Sequence, residues 1–145
     1  MSEALIAAAR AAAVHAHAPY SAFGVGAAVL LEGGEIITGC NFENASYGLT
    51  LCAETVALGS VNSQGKLRQV RAIAVIGGVI KGGVIGGDKP VTPCGRCRQV
   101  INEAAQLSGH DTLLYCASAD GSHVVQYHIS DLLPHPFGPA DLGLT

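Results

Sequence analysis

An α/β fold is predicted for this chain: a three-layer α-β-α sandwich around a mixed sheet of about five strands. Three observations predict it. Hydrophobic periods suited to helices alternate with periods suited to strands, as happens where helices cover the faces of a sheet. The apolar run VRAIAVIGG is short and almost continuous, which suits a strand covered on both sides. No shift in composition is wide enough to mark a boundary, so residues 1–145 read as a single domain. A chain of this length buries roughly two thirds of its surface and needs no disulfides to fold.

The elements follow in order. MSEALIAAARAAAVHAHAP has the apolar run of a signal peptide and ends suitably at Ala16-His17-Ala18, but Glu3 sits where positive charge belongs and Arg10 interrupts the run. It is read as an amphipathic helix from Glu3 to His17, ended by Pro19. Val25 to Leu31 and Glu35 to Thr38 flank Gly33-Gly34 as a hairpin. A second helix is expected from Cys52 to Val61, then a strand over VRAIAVIGG, then a third helix from Cys94 to Leu107. Before that third helix lies GGVIKGGVIGGDKPVTP, whose glycine repeats read as a mobile loop or as a lid over a site. Strands DTLLYCA and HVVQYHI, a short helical turn and the Pro-rich tail LLPHPFGPADLG complete the chain.

Composition excludes several classes. With 49% hydrophobic and 13% charged residues the chain is not a disordered tail. A net charge of -3 provides no electrostatic reason to bind nucleic acid. The mean hydropathy of +0.37 suggests apolar surface hidden between subunits. No stretch approaches the roughly 18 apolar residues of a membrane span, so a cytoplasmic protein without membrane contact is expected. Five cysteines cannot all pair within one chain, which favours thiols or metal ligands in a reducing compartment.

The chemistry centres on TPCGRCRQ, residues 92–99. Two cysteines so spaced suit a redox pair, a structural zinc clip or part of a catalytic metal site. On a helix Cys94 and Cys97 share a face, and Pro93 suits a helix start, where free N–H groups and the dipole favour thiolate. Cys52 lies at another expected helix start, in LCAET. Three sulfurs leave one position of a tetrahedral zinc open, which separates catalytic from structural zinc. Glu54 adds a carboxylate near that position, able to take and deliver a proton. With Cys40 or Cys116 as fourth ligand the site would instead be a closed, non-catalytic zinc module, but both lie in or beside expected strands and read as buried thiols. The histidines show no ligand spacing with the cysteines.

Cys52-Ala53-Glu54 together with PCGRCRQ resembles the zinc nucleoside deaminases. PYSAFGVGAAV at 19–29, GCNFENASYGLTLCAE at 39–54 and LLPHPFGPADLG at 132–143 are similar to the small homotetrameric cytidine deaminases. The resemblance implies one zinc per subunit on Cys52, Cys94 and Cys97, with Glu54 as proton shuttle. Water would add at C4 of cytidine or 2'-deoxycytidine while Glu54 protonates N3 and then the leaving amine, releasing ammonia in pyrimidine salvage. The resemblance also implies Asn41 and Glu43 on the ribose hydroxyls, Phe23 against the base and Ala53 among the substrate contacts. Ala45, Tyr47 and Phe137 resemble positions that complete a neighbouring subunit's site, which implies a homotetramer.

One position departs from the family pattern. An arginine that donates hydrogen bonds to the thiolates usually follows the glutamate, and here that residue is Thr55. Three thiolates on a divalent ion leave the site negative, so a nearby cation would strengthen the metal's polarising power. The deaminases of blasticidin S resemble this chain in lacking that arginine and carrying one inside PCxxC, where Arg96 lies. Arg96 is therefore expected to fold back onto the sulfur of Cys52 or Cys94. The smaller Thr55 further suggests tolerance of substituents on the cytosine amine. Blasticidin S itself is the alternative substrate, although NFEN argues for an ordinary ribose, whose hydroxyls would pair Asn41 and Glu43.

Overall fold

The computed structural model describes residues 2–145. Helix α1 (Ser2–Ala13) leads to strands β1 (Phe23–Leu31) and β2 (Ile36–Cys40), helix α2 (Ala53–Ser63) and strand β3 (Val70–Lys81). Strand β4 (Val84–Gly86), helix α3 (Gly95–Ser108), strands β5 (Leu113–Ser118) and β6 (Val124–His128) and the short helix α4 (Ile129–Leu132) follow. The sheet runs β2-β1-β3-β5-β6, with β4 paired to the end of β3. Only β3 and β5 run parallel among these pairs, so the sheet is mixed. It has six strands, one more than expected.

Strand alternation divides the core into two layers. Ala28, Ala74, Ile76 and Ala117 face Leu5, Ile6 and Ala9 of α1. Ala27, Val29, Ile73, Val75 and Leu114 face Ala57, Leu58 and Val61 of α2 and Ile101 and Ala104 of α3. This is the three-layer sandwich read from the sequence. Glycine lets each helix layer approach the sheet closely. A Cβ on Gly26 would fall 1.9 Å from the Ala9 carbonyl oxygen of α1, and one on Gly39 would fall 2.5 Å from the Ala57 nitrogen of α2.

Two expectations are corrected. The first helix stops at Ala13, well before Pro19. His17 is drawn into an extended bridge instead, donating its N–H to the Asn41 carbonyl at 3.0 Å and accepting from Glu43 N–H at 2.9 Å. Long-range pairing thus overrides the local helical signal. The supposed mobile segment is largely a hairpin: β3 continues to Lys81 and returns as β4, with Lys81 opposite Val84. Gly82 and Gly83 both take positive φ, +58° and +77°, as a tight two-residue hairpin turn demands.

Because α2 carries two of the expected site residues at its start, Gly39→Ala should push that helix off the sheet. We expect a stability loss of about 1–3 kcal/mol in urea denaturation, the usual result of overpacking a tight contact.

Candidate active site

Helices α2 and α3 start at the same corner of the sheet. Cys52 is the N-cap of α2 and Cys94 the N-cap of α3, both in extended conformation, so each helix begins one residue later than expected. Cys97 lies on the first turn of α3 and is fully buried. The three sulfurs all lie within 4.8 Å of one another, and Cys52 Sγ is 3.7 Å from Cys94 Sγ. Zinc–sulfur bonds of about 2.3 Å in a tetrahedron place sulfurs about 3.8 Å apart, so the spacing fits that ion. The Cys97 thiol beside it holds Cys52 below the usual thiol range, whereas Cys52 and burial push Cys97 up. All three can be thiolates together only with a cation among them.

Among the described residues this group comprises these three ligands and no fourth. Cys40 and Cys116 stand outside it. Burial raises both thiols, that of Cys116 to about 12; Cys116 is the buried thiol expected, whereas Cys40 is only half-buried at the end of β2. The arrangement matches an open site rather than a closed structural one.

Glu54, on the first turn of α2, is only 3% exposed. Burial raises its carboxyl above the ordinary range and favours the protonated form. It opens, with Cys52, Ala53 and Cys94, onto a cavity of about 320 Å3 whose wall also includes Phe23, Asn41 and Glu43. The structure therefore brings most of the expected substrate residues to one cavity with the thiols.

The end of the cavity away from the thiols is pre-set by hydrogen bonds. Val25 donates its N–H to Asn41 Oδ1 at 2.9 Å, and Asn41 Nδ2–H donates to the Phe23 carbonyl at 2.8 Å. Glu43 Oε1 accepts from the N–H groups of Tyr20 and Ser21, and Oε2 accepts from the Ser21 hydroxyl at 2.5 Å. The Ser21 hydroxyl bond, followed by the backbone bonds, lowers the Glu43 pKa, so the group stays anionic. Asn41 keeps one N–H and a lone pair free, and Glu43 keeps part of its acceptor capacity. Ala22, between Ser21 and Phe23, has φ +55°, a left-handed conformation that costs a non-glycine residue about 1–2 kcal/mol.

Three expected residues lie outside this cavity in the single chain. Ala45 is exposed, Tyr47 is 73% exposed with its ring 5.4 Å from that of Tyr20, and Phe137 is 63% exposed. Arg96 requires a correction. It is exposed and donates Nη1–H to the Thr50 carbonyl at 3.2 Å, with no sulfur among its hydrogen-bond partners. Position 96 lies on the outer side of the first turn of α3, and the nearby open carbonyl captures the guanidinium.

Thr55 itself reaches the thiols. Its hydroxyl lies 3.3 Å from Cys97 Sγ and donates when that sulfur is a thiolate. A neutral donor thus stands where the family pattern has a cation. Sequence reasoning missed this contact, along with Ser21 beneath Glu43 and the two residues after Cys97. Arg98 donates to the carbonyls of Pro93 at 2.8 Å and Leu132 at 3.1 Å, and Gln99 Nε2–H donates to that of Phe137 at 2.7 Å. These bonds fasten the Cys94 loop to α4 and the tail to α3. The only sequence signal for them was their place in the quoted motifs.

Comparisons with known proteins agree with this geometry. The family model described as the cytidine and deoxycytidylate deaminase zinc-binding region matches residues 1–108. A cytidine deaminase of Halalkalibacterium halodurans is 44% identical over 127 residues, covering 88% of this chain and 86% of the relative. One from Mycobacterium tuberculosis is 43% identical over 132 residues, covering 90% and 85%. The crystal structure of cytidine deaminase from Burkholderia pseudomallei superposes with a TM-score of 0.81 at 40% identity, covering 94% of this chain and 99% of that one.

Thr55→Val removes the hydroxyl and keeps the shape. We expect zinc affinity to fall about 10- to 100-fold, as loss of a bond to a metal ligand does elsewhere. Competition with a chelator measures it, and the sulfur-to-metal charge-transfer band of the cobalt-substituted protein should shift; Thr55→Ser should restore both.

Proposed function

The chain belongs to the family of cytidine and deoxycytidylate deaminases with a zinc-binding region, and on that premise we propose that it hydrolyses cytidine and 2'-deoxycytidine to uridine and 2'-deoxyuridine. The observation that carries this reading is the buried Glu54 beside the three-sulfur group, at one end of a cavity whose other end presents Asn41 and Glu43.

Zinc would be held by Cys52, Cys94 and Cys97 and would supply the Lewis acidity that makes water acidic enough to attack near neutral pH. Glu54 takes the proton from the attacking water and delivers it to N3 of the pyrimidine. The bond from oxygen to C4 forms, Glu54 carries the remaining proton of that oxygen to the amine, and the bond from C4 to nitrogen breaks, releasing ammonia and leaving the C4 carbonyl. A carboxyl whose protonated form is favoured by burial can hold the proton between these steps. Glu43, anionic on its Ser21 and Tyr20 bonds, accepts from a ribose hydroxyl, and Asn41 uses its remaining N–H and lone pair on the same sugar. Both arrive pre-oriented, so little side-chain freedom is lost on binding. Phe23 offers the base an aromatic face.

The exposed Phe42, Tyr47, Leu49 and Phe137 support a homotetramer in which Ala45, Tyr47 and Phe137 reach neighbouring sites. Among the described residues no helix is long and apolar enough to cross a membrane. Thiols that serve as metal ligands suit the reducing cytoplasm, where we place the enzyme.

Glu54→Gln removes the proton carrier and leaves the three sulfurs. We expect cytidine turnover to drop by about 10²–10⁴, followed by the loss of absorbance on conversion to uridine, with the zinc content per chain unchanged. Full activity in this variant would refute the assignment.

A further inference from the structure

A second cavity of about 340 Å3 adjoins the catalytic one, and Phe23 and Val91 line both. Phe23 is tied through its carbonyl to Asn41, whereas Val91 stands three residues before Cys94, so the shared wall runs from the Asn41 side toward the loop that carries the metal ligands. The reason for the empty space is found in the register of the sheet. Phe23 pairs with Val79 on β3, and Val79 pairs with Gly86 on β4. Directly paired residues project to the same face, so Gly86 faces the same side as Phe23 and has no side chain to fill the space. A Cβ built on Gly86 meets nothing within 4 Å. The hairpin of β3 and β4 thus holds a trough open beside the catalytic cavity. Its walls at Phe23, Val79, Pro90 and Val91 are apolar, while Asp88 and Lys89 are exposed.

In the deaminase reading above, on which this inference rests, the sugar lies toward Asn41 and Glu43 and the reacting amine toward the thiols. Val91, which lines both cavities on the loop leading to Cys94, is the part of the shared wall past which a group on that amine would reach the side cavity. We propose that the side cavity receives an uncharged acyl or alkyl substituent on the exocyclic amine, so that the enzyme also hydrolyses N4-substituted cytosine nucleosides. The chemistry balances as for cytidine. Water oxygen bonds to C4, its two protons pass through Glu54 in turn to N3 and to the leaving nitrogen, and the bond from C4 to nitrogen breaks. An alkyl substrate releases a primary amine and an acyl substrate a carboxamide, each with uridine.

The test compares cytidine, N4-methylcytidine and N4-benzoylcytidine on the zinc-loaded enzyme, with products separated by chromatography. Uridine plus methylamine, and uridine plus benzamide, are expected. Gly86→Leu should lower kcat/KM for the benzoyl substrate at least about tenfold, the scale on which a filled apolar pocket discriminates, and leave cytidine turnover unchanged. Val79→Ala should shift selectivity the opposite way. Active cytidine turnover without any reaction of the substituted nucleosides would overturn this inference alone, as would release of benzoate and cytidine. An equal loss on all substrates in Gly86→Leu would also overturn it. Failure of cytidine itself would refute the deaminase reading.

Discussion

Three sulfurs converge only because α2 and α3 begin at one corner of the sheet, and most of the molecule serves that requirement. Cys52 and Cys94 occupy N-cap positions, where the backbone is still extended and the side chain can turn toward the other helix. Both helix dipoles then direct their positive ends at the same point, which favours negative charge there. Gly39 permits α2 to lie directly on β2, and the Arg98 bonds to Pro93 and Leu132 hold the start of α3. Loosening either support separates the sulfurs before any catalytic group is touched.

The same packing sets the polarity of the cavity from end to end. At the metal end Glu54 is pushed toward its neutral form by burial. At the far end Glu43 is held anionic by Ser21 and Tyr20. Two carboxyl groups in one cavity are thus driven in opposite directions by their surroundings, one toward its neutral form and one toward its anion. Asn41 is fixed by β1 itself, through Val25 and Phe23, so the strand that walls the cavity also orients its polar group.

Much of this was legible in the sequence because it is local. Pro93 marks the start of the helix on which the Cys94 and Cys97 spacing places both thiols on one face, Cys52-Ala53-Glu54 opens the other expected helix, and the sandwich follows from alternating periods. What depends on tertiary geometry was not legible. Whether Thr55 or Arg96 touches a thiol turns on which side of a helix faces the corner, and the structure selects the inward Thr55 over the outward arginine. The end of α1 is set by a bridge between His17 and Phe42, distant in sequence. The β3–β4 hairpin is a different case, since Gly82-Gly83 flanked by Ile80-Lys81 and Val84-Ile85 is a hairpin signal of the kind read correctly at Gly33-Gly34. The density of glycine around it obscured the pattern.

Whether the site is open for chemistry or closed for structure decides among all these readings, and X-ray absorption at the zinc edge of the purified, substrate-free protein measures it directly. The account predicts three sulfur neighbours at about 2.3 Å and one lighter neighbour at about 2.0–2.1 Å. Four sulfur neighbours, with Cys40 or Cys116 drawn in, would contradict it.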